Sequence, residues 1–181
     1  MTTIAARQTE DGIQFAWDQQ TTLGSRKEHT THPKVFANGK IVFAVAGYTR
    51  YSNILAAMSM PKRQRKHQPD TFKWVSVVLT NAIRQATKDA DFASFEDNRI
   101  SNDSVVLVAV DNQLFEIGPD YSVTQTENGL YSIGSGSSYA LGALMAGASP
   151  GEAVEIARHY DIYTGGNISL ARYEEILHAR V

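Results

Sequence analysis

The chain of 181 residues suits one domain and is long enough to bury a substantial core. Lys plus Arg is 17 and Asp plus Glu is 19, a formal net charge of -2 that gives no electrostatic case for a nucleic-acid partner. The absence of cysteine excludes a disulfide framework, a thiolate metal site and a Cys nucleophile, and no window approaches a membrane-spanning apolar run.

The chain opens MTTIAA, a stretch too short and too polar to serve as a signal peptide or membrane anchor. Residues 2–9 and 12–18 read as strands flanking Glu10-Asp11-Gly12, an Asp-Gly hairpin signal. Residues 19–33 are polar and read as a loop. Residues 34–47, KVFANGKIVFAVAG, predict a second hairpin turning at Asn38-Gly39. Its second arm is continuously apolar, so both of its faces should be covered.

From Tyr48 to Met60 the pattern predicts a helix that ends before Pro61. A basic loop from Lys62 to Lys66 reads as a solvated surface segment. Asp70 then suits an N-cap, and Phe72, Val75, Leu79, Ile83 and Ala86 form a helical stripe. Residues 104–110, 113–118 and 121–127 read as strands joined at Asp111-Asn112 and Pro119-Asp120. Residues 129–137 form a strand running into a glycine turn. Two helices follow, the second with Ser149 as N-cap, Pro150 at the first helical position and Glu152 in the capping-box position. The tail mixes a short strand and a last helix. Strands grouped apart from helices argue for an α+β fold with stacked, largely antiparallel sheets covered by helices.

The candidate nucleophiles are hydroxyls. Gly134-Ser135-Gly136 lies between a strand and a helix, but the Gly-x-Ser-x-Gly elbow is incomplete. The five histidines, His29, His32, His67, His159 and His178, show no metal-binding spacing. The amino terminus offers another route. Aminopeptidases remove an initiator Met that precedes a small residue such as Thr2. The exposed Thr then carries a hydroxyl and an α-amine with a reference pKa of about 7.7–8.0, which can act as general base. A neighbouring cation would favour the neutral amine, and a carboxylate would hold that cation. Lys34 and Asp18 lie at strand ends that a meander would bring beside the first strand. On the residues alone, a plain strand with surface threonines remains the simpler account.

The spacing adds to this. Thr2-Thr3-Ile4, Asp18, Thr21 to Gly24 (TTLG) and Lys34-Val35 resemble the amino-terminal half of proteasome β-type subunits, most of all the bacterial HslV-like peptidases. ANGKIVFAVAGYT, YSIGSGSSYALGAL and DIYTGGNI resemble later segments of that family, in order and over nearly the whole chain. The resemblance implies one domain over residues 1–181 with the four-layer αββα sandwich of N-terminal-nucleophile hydrolases. It implies removal of Met1, Thr2 as nucleophile and base, Lys34 as the cation and Asp18 as its anchor. Ser135 and Asp161 would complete the hydrogen-bond network around the amine. The oxyanion donor would be the backbone N–H of Ala44, with Gly47 matching a glycine three residues later. A monovalent cation, a structural sodium, would sit on the main-chain carbonyls of Arg158, Asp161 and Thr164, and the chemistry would need no cofactor.

The resemblance thus points to a cytoplasmic threonine peptidase that forms a homo-oligomeric ring around a chamber and works with an AAA+ unfoldase ATPase. The chain has no Gly-x-x-x-x-Gly-Lys-Ser/Thr loop of its own, so ATP would be handled by that partner. Two alternatives stay open: a catalytically silent ring or scaffold subunit, and a small-molecule amidase on the same fold. Asp18 and Lys34 would then be an ordinary ion pair, and Ser135 a helix cap.

Overall fold

The computed structural model describes residues 2–23, 26–29, 33–63, 69–92, 94–96 and 99–179. Met1, Gly24, His32, His67 and most of the basic loop, residues 64–68, lie outside the described residues.

The chain begins with a hairpin, β1 (Thr3–Thr9) and β2 (Gly12–Asp18), closed by the two-residue turn Glu10-Asp11 with Gly12 at φ +118°. The polar stretch that reads as a loop instead pairs as β3 (Gln20–Leu23) and β4 (Arg26–His29). The two strands, QTTL and RKEH, are polar at nearly every position, a pattern that carries no apolar signal. β5 (Val35–Asn38) and β6 (Ile41–Ala46) form the second hairpin, with Gly39-Lys40 as the turn and Gly39 at φ +63°.

Helix α1 (Thr49–Ala57) stops three residues short of the sequence reading. The Asn38 side-chain amide donates to the Leu55 and Met58 carbonyls at 2.9 Å each and so occupies helix-end acceptors. Asp70 caps α2 (Thr71–Trp74), its carboxylate accepting the Lys73 N–H at 3.0 Å. One π turn (Val75–Leu79) then leads into α3 (Thr80–Asp89). The wider turn keeps Val75, Leu79 and Ile83, each four residues apart, on one fully buried face. Phe72, expected on that stripe, is instead 41% exposed, and Trp74 takes the inward position.

β7 (Ser94–Glu96) and β8 (Arg99–Ser101) form a short ribbon that the sequence did not signal. β9 (Val105–Val110) and β10 (Gln113–Ile117) meet at Asp111-Asn112, both at positive φ (52° and 58°), the backbone of a type I′ hairpin turn. The run 121–127 contributes only β11 (Val123–Thr124). After β12 (Leu130–Gly134) come α4 (Ser137–Met145) and α5 (Pro150–Tyr160), the latter opened by the full Ser149–Glu152 capping box. β13 (Ile168–Arg172) and α6 (Tyr173–His178) end the fold.

Two antiparallel sheets result, one ordered β12-β1-β2-β13 and the other β11-β10-β9-β6-β5. Strand periodicity sorts the core into three layers. On β6, Phe43 and Val45 face a cluster with Tyr51, Leu55, Val75, Leu79 and Ile83 of the first helices. Val42, Ala44 and Ala46 face the other way, meeting Ile4, Ala6, Phe15 and Ile133 of the opposite sheet. The far face of that sheet packs Ala5 and Ala16 on Ala140, Leu144, Ala153, Val154 and Ala157 of α4 and α5. Three interlayer cores mean four layers, αββα, and β6 is buried along its whole length as its apolar run requires.

Candidate active site

β1 begins in the middle of its sheet, between β12 and β2, so the amino end of the chain enters at the rim of the sandwich with strands on both sides. Thr2 is 4% exposed. Its hydroxyl donates to Asp18 Oδ1 at 2.9 Å, and the Thr3 N–H donates to the same oxygen at 2.9 Å. Asp18 is the last residue of β2, which places it beside the start of its antiparallel partner β1.

Lys34 precedes β5 in the other sheet and reaches across the interlayer space. Its ammonium donates to Asp18 Oδ1 at 2.8 Å and to the Gln20 carbonyl at 2.7 Å. Burial pushes the Lys34 pKa down, with the adjacent Asp18 carboxylate acting in the opposite direction. Asp18 Oδ2 accepts the backbone N–H groups of Gln20 (3.1 Å) and Gly165 (3.0 Å). The carboxylate is fully buried, and hydrogen bonds from both sides compensate its burial.

Ser135 and Asp161 stand on the other side of β1. The Ser135 N–H donates to the Thr2 carbonyl at 2.9 Å, and its hydroxyl donates to Asp161 Oδ2 at 2.6 Å. Thr164 donates its hydroxyl to that same Asp161 oxygen at 2.6 Å and lies 2.5 Å from the Thr3 hydroxyl. Gly134 adopts φ +99°, and a Cβ there would overlap the Thr2 carbonyl oxygen. A Cβ on Gly136 would likewise run into the Thr3 hydroxyl. The Gly-Ser-Gly turn is therefore a close-approach device that lets Ser135 reach the first strand.

The structure thus brings Thr2, Asp18, Lys34, Ser135 and Asp161 together. It does not bring Ala44. Ala44 lies mid-strand, opposite Val35 and Leu107, with its side chain in the core between the sheets. Because the Val45 N–H donates to the Lys34 carbonyl on the β5 side, ladder alternation turns the Ala44 N–H towards β9. The expected oxyanion position at Ala44 is therefore corrected: its amide belongs to the sheet. Gly47, just past the end of β6 at φ +133°, borders the open space beside Thr2 instead. Arg158 in the last turn of α5, Asp161 at its C-cap and Thr164 in the turn beyond lie close in the chain. The Asp161 carbonyl accepts the Thr164 N–H at 3.1 Å, and the Arg158 guanidinium donates to the Gly166 carbonyl at 3.2 Å.

Sequence reasoning missed several supporting groups: Thr3, the Gln20 carbonyl, the Gly165 amide, and Asp103 and Glu116 at the cavity. Thr164-Gly165-Gly166 was the one legible signal among them, since paired glycines mark a backbone that must approach closely. The open space beside Thr2 is a cavity of about 330 Å³ whose wall includes Gly47, Asp103, Glu116 and Ser137. A larger cavity, about 700 Å³, lies at Lys40, Arg63 and Trp74 and does not include Thr2 in its lining.

No protein-family model and no curated protein matches the chain. Solved structures do. BPH from Thiobacillus denitrificans is 24% identical, with a TM-score of 0.77 over 94% of this chain and 96% of that one. It is also known in complex with epoxomicin, a structure that superposes with a TM-score of 0.75 at 23% identity over 94% of this chain and 97% of that one. HslV from Trypanosoma brucei is 21% identical, with a TM-score of 0.63 over 94% of this chain and 98% of that one. Anbu from Hyphomicrobium is 16% identical, with a TM-score of 0.64 over 96% of this chain and 81% of that one. Together with the four layers and the sheet order, these likenesses show that the chain has the αββα fold of the proteasome-type N-terminal-nucleophile hydrolases.

Proposed function

We propose that the protein is a threonine endopeptidase in which Thr2, freed by removal of Met1, attacks the peptide bond. The observation that carries this reading is the shared Asp18 oxygen: it holds the Thr2 hydroxyl and the Lys34 ammonium at 2.9 and 2.8 Å, beside a cavity open to substrate. A plain surface strand gives no reason to bury a cation, a carboxylate and a hydroxyl together at a chain end.

In this reading the Thr2 amine takes the proton of its own hydroxyl as Oγ1 bonds to the scissile carbonyl carbon. Lys34 favours the neutral amine and stabilises negative charge developing at Oγ1. The carbonyl electrons move onto oxygen, and we assign the Gly47 N–H, at the cavity wall, as the donor to that oxyanion. Collapse breaks the C–N bond, and the amine proton passes to the leaving nitrogen. Water, deprotonated by the same amine, then hydrolyses the ester and restores Thr2. Ser135 and Asp161 fix the Thr2 main chain. The carbonyls of Arg158, Asp161 and Thr164 remain the proposed holders of a structural sodium, which takes no part in bond making.

The outer helical face supports assembly into a ring. Tyr139 and Tyr160 stack at 5.4 Å while 47% and 69% exposed, and Met145, at the far end of α4, is 63% exposed. Such a patch on α4 and α5 is a docking face in a chambered oligomer. The first helix adds little to this surface: Tyr51 and Leu55 are buried in the core, and Tyr48 before its start stays exposed. An ATPase that unfolds substrates is the partner such a chamber would need. Among the described residues no helix is long and apolar enough to cross a membrane.

Peptide hydrolysis by the purified protein tests the reading: activity is expected, and Thr2→Ala is expected to remove it. Undiminished turnover in Thr2→Ala would overturn the assignment.

A further inference from the structure

The cavity beside Thr2 contains an oddity of the fold. On β10 the alternation that turns Leu114 into the core between the sheets turns Glu116 the same way, two residues on. A carboxylate thus continues the inward face of a sandwich strand and ends at the wall of the cavity. Among the described residues it has no hydrogen-bond or ion-pair partner, and burial pushes its pKa up. Asp103 lines the same cavity at φ 51°. No Lys or Arg contributes to that wall among the described residues. Lys34, the site's cation, is already held by Asp18 and the Gln20 carbonyl.

We propose that this cavity is a substrate subsite for a cationic side chain, with Glu116 as the specificity-determining residue and Asp103 as its outer partner. The inference rests on the peptidase reading above and names its substrate class: peptides carrying Lys or Arg at the residue that enters this cavity. A volume of about 330 Å³ accommodates one long side chain. An entering ammonium or guanidinium supplies the counter-charge that Glu116 lacks within the fold, so a cationic residue gains an ion pair where a neutral one leaves the carboxylate desolvated. The arrangement disfavours Asp and Glu at the same place by like-charge repulsion.

The test is a mass-spectrometric map of cleavage sites in a mixed peptide library, made with the wild type, Glu116→Gln and Glu116→Lys, with epoxomicin labelling of Thr2 measured on each. Labelled Thr2 reports a folded, competent site. The wild type is expected to enrich Lys and Arg at one fixed position relative to the cut. Glu116→Gln should reduce that enrichment about fivefold, the scale of one partly exposed ion pair. Glu116→Lys should shift it towards Asp and Glu. Asp103→Asn, which leaves Glu116 in place, should weaken the enrichment less. Cleavage without cationic enrichment, or enrichment unchanged in labelled Glu116→Gln, overturns this inference and leaves the peptidase reading standing. Neither cleavage nor labelling in the wild type overturns both.

Discussion

Two carboxylates lie near Thr2, Asp18 on its hydroxyl and Glu116 in the wall of the cavity it lines, and the fold treats them in opposite ways. Asp18 is fully buried and accepts three donors on one oxygen and two on the other. Glu116 lies partly buried at the cavity wall, its pKa raised by desolvation, with no donor among the described residues. A buried charge with a complete set of hydrogen bonds builds a scaffold, because breaking any bond leaves another group unsatisfied. A desolvated charge with an open face is costly to the fold and waits for something that is not part of it. The contrast separates the network that holds Thr2 and Lys34 from the cavity wall proposed to meet substrate.

The comparison is broken most forcefully at Asp18. Asp18→Ala leaves Lys34 buried without its counter-ion and releases the Thr2 hydroxyl. We expect loss of peptide hydrolysis together with a stability loss of about 3–5 kcal/mol, read as a fall in the denaturant midpoint. Lys34→Ala removes the cation and keeps the backbone donors to Asp18. Its expected effect is a fall of about 10²–10³ in turnover with the fold retained, followed by steady-state kinetics and circular dichroism. Gly134→Ala places a methyl group against the Thr2 carbonyl at a positive φ. It should lower stability by about 1–3 kcal/mol and slow labelling of Thr2, both measurable on one preparation.

Glu116→Gln is the smallest effect and the sharpest contrast, because here removing a charge should stabilise. The folded-state pKa of Glu116 is raised, so the folded chain favours the protonated form. The wild type loses stability as pH rises through that raised value. The variant has no such loss. Its advantage should be absent below the ordinary glutamate range and grow towards neutral pH, in denaturant midpoints compared at pH 4 and pH 7. An advantage that is flat across pH would show that Glu116 finds its charge compensated in the folded state.

The layer order was legible because it follows from alternation and turns. Gly12, Gly39 and the Asp111-Asn112 pair fixed three hairpins, and the uninterrupted IVFAVA run required a strand covered on both faces. Ser149, Pro150 and Glu152 marked a helix start by capping chemistry alone. The β3–β4 ribbon escaped because both its faces are polar, and a polar strand has no inward signature. The π turn escaped because its period differs from a regular helix by less than one residue over one turn. In the site, Thr2, Asp18 and Lys34 were legible as side chains at spaced positions. Gln20 and Gly165 contribute a main-chain carbonyl and a main-chain N–H, groups that carry no side-chain signature. Placing the oxyanion donor at Ala44 failed for that reason: a backbone donor is chosen by ladder parity, and parity needs the register of both neighbouring strands.

The central claim is that Thr2 is a free amino-terminal nucleophile. It is tested most directly by intact-mass spectrometry of the purified protein before and after incubation with epoxomicin, with the adduct located by peptide mapping. The account predicts a chain lacking Met1 that gains one inhibitor mass on Thr2 and none in Thr2→Ala. A chain that retains Met1 while hydrolysing peptides, or an adduct that persists in Thr2→Ala, would contradict it.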